Sequence, residues 1–139
     1  MTDCIFCKII NHEIPAEIVY EDGYVIAFLD AFPIVPGHTL VVPKEHCDNF
    51  LVMAPSTVRR VIDAVQAVSA QVKKGMQCDG LNVSTNVGKA AGQSVLHTHF
   101  HIMPRTANDG LKDWPNMKTN PDDIKKNASK IKSANGKVL

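Results

Sequence analysis

The chain has 139 residues, of which 45% are hydrophobic, and its formal net charge is +1. This length suits one domain with a hydrophobic core, so we expect a single domain over residues 1–139. The balanced charge argues against nucleic-acid and membrane partners, and no apolar run approaches the length of a membrane span.

The amino terminus, "MTDCIFCKII", has no basic segment followed by a long apolar stretch. We therefore expect no secretory signal and a cytoplasmic location. In that reducing compartment the four cysteines are expected to be ligands or buried thiols rather than disulfides. They are Cys4, Cys7, Cys47 and Cys78.

The first part of the chain predicts a short helix and three strands. "CIFCKII" predicts one or two helical turns that end before Pro15. "EIVYED" and "YVIAFLD" predict a β-hairpin around the turn signal "EDG". The prolines and glycine of "AFPIVPG" predict a loop, and "HTLVVPK" predicts a third strand that stops at Pro43.

The clearest predicted helix is "PSTVRRVIDAVQAVSAQVKKGM". We expect Ser56 to cap its start, and Lys73, Lys74 and Gly75 suit its carboxyl end. Apolar residues spaced by three and four predict one buried face along it. They are Val58, Val61, Ile62, Val65, Val68 and Val72.

The remaining elements are two strands and a marginal helix. "GLNVSTN" predicts a fourth strand, "VGKAAGQS" a loop, and "VLHTHFHIMPR" a fifth strand over about residues 95–104. Residues 106–139 form a C-terminal extension in which "DDIKKNASKIKSA" predicts a marginal helix. Strands broken by one long helix favour an α+β fold, with helices covering one face of an antiparallel sheet.

Three histidines alternate in the predicted fifth strand, so His97, His99 and His101 share one face while Phe100 and Ile102 face the core. A solvated strand face would explain any one of them. All three, directly after a glycine-containing loop, favour a site for an anion. A neutral imidazole can act as a nucleophile when an acceptor, such as a backbone carbonyl, holds its other nitrogen.

Two segments of the chain resemble one known family. "NVGKAAGQSVLHTHFHIMPR" closely resembles the histidine triad (HIT) signature, in which three histidines alternate with apolar residues. "DCIFCKIINHEIPAEIVYEDGYVIAFLDAFPIVPGHTLVVPKEH" resembles the amino-terminal half of the bacterial-type Hint branch. The match runs from Asp3 to about Arg105 and departs from the signature at Thr98. It implies a HIT-like fold, with a five-stranded antiparallel sheet, one long helix and one or two short ones.

The resemblance implies a nucleotide hydrolase or transferase that cleaves purine nucleoside 5′-phosphoramidates or acyl-nucleotides and releases AMP or GMP. His99 would be the nucleophile and would form a nucleotidyl-histidine intermediate. His101 would bind the phosphate and assist. Ser94 would hydrogen-bond the leaving group or the phosphate and help to deliver a proton.

The resemblance also implies the nucleotide-binding residues. Asn86, Gly92 and Gln93 would lie around the phosphate and ribose, and Asp30 would accept hydrogen bonds from the ribose hydroxyls. His38 is expected near the phosphate, with a purely structural role left open. Candidates for an apolar slot around the base, each of which could equally be core, are Phe6, Ile9, Ile18, Phe28 and Phe32.

The spacing of Cys4 and Cys7 suits two thiolates that share a metal, which is half of a site. A thioredoxin-like redox pair would need a preceding strand, and two free buried thiols remain an alternative. The resemblance supplies the missing ligands and implies a zinc set of Cys4, Cys7, His46 and His97. Four protein ligands would make a closed, structural zinc site.

Two other functions stay open. Another HIT branch hydrolyses dinucleoside polyphosphates, although the CxxC start and "GHTLVVPKEH" favour the Hint side. A nucleotide-binding scaffold with vestigial activity would not need an intact triad. The resemblance further implies a homodimer that joins sheet edges and packs the long helices of two copies together.

Overall fold

The computed structural model describes residues 3–134 and 136. Residues up to Ala107 form one compact unit and residues from Asn108 onward form a second. In the first unit the helices are α1 (Ile5–Ile10) and α2 (Pro55–Met76). The strands are β1 (Ile18–Glu21), β2 (Val25–Leu29), β3 (Thr39–Pro43), β4 (Gly80–Thr85) and β5 (Phe100–Arg105). Short 3₁₀ turns cover Phe50–Val52 and Lys89–Ala91.

The five strands form one antiparallel sheet in the order β1-β2-β3-β5-β4. The predicted β1–β2 hairpin is confirmed, and Asp22 fixes its turn because its Oδ1 accepts from the backbone N–H groups of Tyr24 and Val25. Strand β5 lies between β3 and β4, so the histidine segment enters the middle of the sheet. The α+β class and the antiparallel sheet are as predicted.

Helices cover both faces of this sheet rather than the one face that was expected. Alternate side chains of β2 divide between two cores: Val25 and Ala27 join α2, and Ile26 and Phe28 join α1. Four of the five residues of β2 are buried, so both of its faces need apolar side chains. The short helix α1 thus covers the face opposite α2.

Helix α2 follows its predicted bounds, but two details of the prediction were wrong. Ser56 is not the cap, because Pro55 already occupies the first helical turn and Ala54 takes the N-cap position. Ile62 is 45% exposed, whereas Ala64 is 3% exposed and belongs to the core. The buried face of α2 therefore includes Ala64 and excludes Ile62. At the carboxyl end Gln77 adopts a left-handed conformation with φ 52°.

Strand β5 begins at Phe100, five residues later than the predicted start at Val95. The cause is a competing partner: the backbone N–H of Thr98 donates to the carbonyl of Cys47 at 2.7 Å, outside the sheet. His97 and His99 therefore stand just before the regular strand, and His101 stands within it.

The second unit contains helix α3 (Pro121–Ser133), which confirms the marginal helix predicted there. Asn120 caps it by accepting from the Asp123 N–H at 2.9 Å, and Pro121 opens it. The end of the predicted extension, residues 135 and 137–139, lies outside the described residues. Among those that are described, no helix is long and apolar enough to cross a lipid bilayer.

Candidate active site and metal centre

Two thiols and two imidazoles converge where α1 meets the histidine segment. The ligand atoms of Cys4, Cys7, His46 and His97 all lie within 4.8 Å of one another. Helix α1 presents both thiols from its amino-terminal turn, where the Cys7 N–H donates to the Cys4 Sγ at 3.5 Å. His46 follows β3, and His97 precedes β5. The four residues are therefore close enough to hold a metal ion.

The spacing of these atoms matches the edges of a zinc tetrahedron. Zinc bonds of about 2.3 Å to sulfur and about 2.0–2.1 Å to nitrogen place ligand sulfur and nitrogen about 3.6 Å apart, and two nitrogens about 3.3 Å apart. The Cys4 Sγ lies 3.4 Å from the His97 Nδ1, and the Cys7 Sγ lies 3.4 Å from the His46 Nδ1. The two Nδ1 atoms are 3.1 Å apart. The donor set and its dimensions thus fit zinc.

Surrounding groups prepare the His97 imidazole as a ligand, whereas the Cys7 thiol would need the metal itself in order to lose its proton. The His97 Nε2–H donates to the carbonyl of Pro43 at 2.8 Å, which leaves the Nδ1 lone pair directed at the cluster. Burial lowers the pKa of His97, so its imidazole is neutral, as a metal ligand must be. Burial, followed by the hydrogen bond to Cys4, raises the pKa of the Cys7 thiol. Bound cation would reverse that effect, because metal coordination deprotonates a thiol.

His99 is held as a neutral imidazole with one nitrogen occupied. Its Nδ1–H donates to the carbonyl of His97 at 2.6 Å, and its own carbonyl accepts from the Thr85 hydroxyl at 2.7 Å. Burial lowers the pKa of His99, whose side chain is 5% exposed. The lone pair of Nε2 is therefore available at neutral pH.

A chain of hydrogen bonds fixes the protonation of His38 and His101. The backbone N–H of Ile34 donates to the His38 Nδ1 at 3.2 Å, so the proton of His38 is on Nε2. That Nε2–H donates to the His101 Nδ1 at 2.9 Å, which leaves His101 with its proton on Nε2. Burial, followed by the neighbouring histidines, lowers the pKa of His101 to about 4. His101 is therefore a neutral hydrogen-bond donor beside His99, with ring centroids 5.0 Å apart.

Asp30 stands at the end of this chain. Its Oδ2 lies 3.7 Å from the His38 Nδ1, and its Oδ1 accepts from the Phe32 N–H at 2.9 Å. Asp30, His38 and His101 also lie close enough to hold a metal. The 2.9 Å separation between the two imidazoles instead identifies a direct hydrogen bond.

The glycine-containing loop is braced by its own side chains. The Gln93 Oε1 accepts from the Gly88 N–H at 2.9 Å, and its Nε2 donates to the carbonyls of Asp48 and Val95. Asn86 donates to the carbonyl of Gly92 at 3.3 Å. Gln93 is 7% exposed, so its amide shapes the loop. The place around the phosphate and ribose that the resemblance implies for Gln93 stays a prediction.

Ser94, the next residue, is exposed. It lies on the wall of a cleft of about 700 Å³ that Cys4 and His46 also line. Ser94 is therefore open to a ligand, in contrast to Gln93.

The five predicted slot residues divide into two groups. Phe6, Ile9 and Phe28 are 2–7% exposed and share one core cluster beneath α1. Ile18 and Phe32 are 38% and 88% exposed. The buried three offer little surface to a ligand, whereas the exposed two are free to meet one.

Backbone groups do much of the positioning, and sequence reasoning anticipated only a backbone carbonyl behind the nucleophile, without saying which one. The carbonyls of Pro43 and His97 and the N–H of Ile34 fix three imidazoles. The carbonyl of Cys47 holds Thr98 twice, through its N–H and its hydroxyl at 3.0 Å. Every residue type has these groups, so no letter in the sequence marks them. The hydroxyl of Thr98, which departs from the apolar pattern, was the one available signal.

Comparisons with known proteins return one family throughout. The HIT domain model matches residues 11–108. An uncharacterised HIT-like protein of Saccharolobus solfataricus is 48% identical over 113 residues, which are 80% of this chain and 81% of that one. The adenylylsulfatase HINT3 of Arabidopsis thaliana is 37% identical over 131 residues, which are 94% of this chain and 66% of that one.

A solved structure extends the match to the fold. The crystal structure of a HIT family member from Bacillus subtilis superimposes with a TM-score of 0.86 at 38% identity. The match covers 94% of this chain and 95% of that one.

Proposed function

Because the chain belongs to the HIT domain family of nucleotide hydrolases, we propose that it cleaves purine nucleoside 5′-phosphoramidates or acyl-nucleotides and releases AMP or GMP. The observation that carries this proposal is the 2.6 Å hydrogen bond from the His99 Nδ1–H to the His97 carbonyl. It leaves a buried imidazole with a free Nε2 lone pair, which is the form required of a nucleophile.

The proposed reaction has two displacements at phosphorus. In the first, the His99 Nε2 forms a bond to the α-phosphorus while the bond to the leaving nitrogen or acyl oxygen breaks. A leaving amine takes a proton relayed from water through the Ser94 hydroxyl, and an acyl group leaves as a carboxylate. In the second, a water oxygen bonds to phosphorus and the electron pair of the P–N bond returns to His99. The proton lost by this water passes to solvent, where it replaces the one given to a leaving amine.

The neighbouring groups support these steps electrostatically. When His99 becomes cationic in the intermediate, the carbonyl of His97 still accepts from its Nδ1–H. His101 presents an Nε2–H because His38 occupies its Nδ1, and that donor suits an oxygen of the phosphoryl group. Positive φ angles at Gly88 (86°) and Gly92 (91°) shape the loop beside them.

Binding residues for the nucleotide complete the proposal. The Asp30 carboxylate, one fifth exposed, would accept from the ribose hydroxyls. Asn86 and Gly92 would lie beside the phosphate. Phe32 and Ile18 supply exposed apolar surface for the base.

A zinc ion at Cys4, Cys7, His46 and His97 would join α1 to the segment that follows β3 and to the segment that precedes β5. The fit of the ligand distances to a tetrahedron supports zinc. With four protein ligands it would have no open position for substrate, so its role would be structural.

We also place in this proposal a cytoplasmic homodimer, formed through the sheet edge and the long helix. Strand β4 is an edge strand, and its Val83 is 45% exposed. On α2, Ile62 is likewise 45% exposed. Light scattering on the purified chain tests the dimer through its molar mass.

The function is tested with zinc-loaded protein and three substrates that share adenosine but differ in the leaving group. They are adenosine 5′-phosphoramidate, adenylyl sulfate and a diadenosine polyphosphate, with AMP measured by chromatography. We expect the phosphoramidate to be cleaved with the highest kcat/KM. The relative named an adenylylsulfatase makes adenylyl sulfate the second candidate. Preference for the diadenosine substrate would refute the proposal.

Two histidine variants complete this test. His99→Asn is expected to abolish turnover and retain AMP binding by calorimetry. His12→Asn is the matched control, because His12 is exposed and has a φ of 60°, which Asn adopts readily. Turnover that survives in His99→Asn would reject His99 as the nucleophile.

A further inference from the structure

Phe6 lies in the sequence between Cys4 and Cys7, whose thiols belong to the metal cluster. It follows the N-cap Cys4 by two residues and precedes Cys7 by one, on the six-residue helix α1. The Cys7 N–H donates to the Cys4 Sγ, so both thiols are tied to the same helical turn. Phe6 is 6% exposed and is therefore carried into the interior by this turn.

The Phe6 ring meets three other rings edge-on. Its centroid lies 5.6 Å from Phe28, 5.9 Å from His97 and 5.0 Å from His99, with interplanar angles of 68–80°. These are favourable T-shaped arrangements. One aromatic side chain thus contacts both the metal-cluster imidazole and the proposed nucleophile.

His99 needs such a contact because its hydrogen bond fixes only one point of the ring. The Nδ1–H is held by the His97 carbonyl, but without a packing partner the ring can still rotate about its Cβ–Cγ bond, which weakens this hydrogen bond. Two rings contact His99 at 5.0 Å: Phe6 and His101. His101 is half-buried and faces the proposed substrate side, whereas Phe6 is anchored in the core beneath α1.

We propose that Phe6 is a positioning residue that sets the tilt of the His99 ring and so aims its Nε2 at phosphorus. This inference rests on the proposed function. It adds a second role to the predicted place of Phe6 beside the base, for which a side chain that is 6% exposed offers only a small free surface.

The test is Phe6→Leu, which keeps an apolar side chain but removes the ring. The matched control is Phe50→Leu, because Phe50 pairs with Phe100 at 6.4 Å in the other core. Steady-state rates are measured on adenosine and uridine 5′-phosphoramidates. We expect kcat of Phe6→Leu to fall about 10- to 100-fold, as for a slightly misplaced reacting group, with KM and the adenosine-to-uridine preference unchanged.

Two kinetic outcomes would overturn the proposal. A raised KM for adenosine with an unchanged kcat would assign Phe6 to the base slot. An equal loss of kcat in Phe50→Leu would show that any loosening of the core slows the reaction. Thermal unfolding accompanies each assay, and Phe6→Met replaces Phe6→Leu if the latter does not fold.

A second measurement does not depend on activity. Nitrogen-15 NMR of the His99 ring, without substrate, is expected to show a protonated Nδ1 and an unprotonated Nε2 in the wild type. In Phe6→Leu the two signals should move towards each other as tautomers mix, and they should stay in place in Phe50→Leu. Unchanged signals in Phe6→Leu would refute the proposal. If the wild type cleaves no phosphoramidate, the proposed function fails, and this spectrum still decides the role of Phe6.

Discussion

Mild acid should lower the free energy of unfolding, because His101 binds a proton more readily in the unfolded chain. The variant His101→Asn removes this titrating group. Burial, followed by the adjoining His99 and His38, lowers the pKa of His101 from 6.5 to about 4, and Asp30 offsets only part of this effect. Above pH 6.5 the imidazole is neutral in both the folded and the unfolded chain. Below it, the unfolded chain binds a proton that the folded chain does not, so stability falls until about pH 4.

The magnitude follows from the width of that window. From pH 6.5 to about pH 5 only the unfolded chain binds the proton. Over these roughly 1.5 pH units its free energy falls by about 2 kcal/mol relative to the folded chain. His101 is half-buried, and screening at its exposed edge reduces the expected loss to about 1–2 kcal/mol.

The assay is urea unfolding of the wild type and His101→Asn at both pH values, with saturating zinc. The difference between the two proteins therefore reports the titration of His101 together with its coupling to His38 and His99, which contact it. We expect the free energy of unfolding of the wild type, relative to the variant, to fall by about 1–2 kcal/mol on acidification. A difference that does not change with pH would refute the assigned cause.

The remaining predictions concern the metal and one turn. Cys7→Ser should lose bound zinc by elemental analysis and melt at a lower temperature, whereas Cys47→Ser should retain zinc, and zinc retained in Cys7→Ser would refute the ligand set. Gly37→Ala should lose about 1–2 kcal/mol in urea unfolding, because φ is +83° and a Cβ would lie 2.8 Å from the Met76 side chain. Gly75→Ala, inside α2 with open space around it, should gain up to about 1 kcal/mol, and equal effects at both glycines would contradict the argument.

Most secondary structure follows from hydrophobic periodicity. The spacing of Val61, Val65, Val68 and Val72 identifies the buried side of α2, and short apolar runs bounded by turn signals identify the strands. The local exceptions have local causes. Pro55 displaces the cap from Ser56, and the Cys47 carbonyl captures Thr98 and delays the start of β5.

The site is less readable than the fold, because long-range packing decides which groups meet. The sequence pairs Cys4 with Cys7 by spacing alone, but His46 and His97 join them only once β3 and β5 are neighbours. The hydrogen bond from His38 to His101 likewise depends on that strand pairing. The sequence suggests Phe6 as a base-slot residue. Its contact with the His99 ring becomes visible only in the packed structure, where Phe6 is buried.

The stereochemical course at phosphorus tests the central claim, nucleophilic attack by His99, most directly. The substrate is an adenosine 5′-phosphorothioamidate of known configuration, hydrolysed in oxygen-18 water and analysed by phosphorus NMR. Two in-line displacements through a nucleotidyl-His99 intermediate invert phosphorus twice, so the account predicts net retention. Net inversion would mean that water attacks the substrate directly, and it would contradict the role assigned to His99.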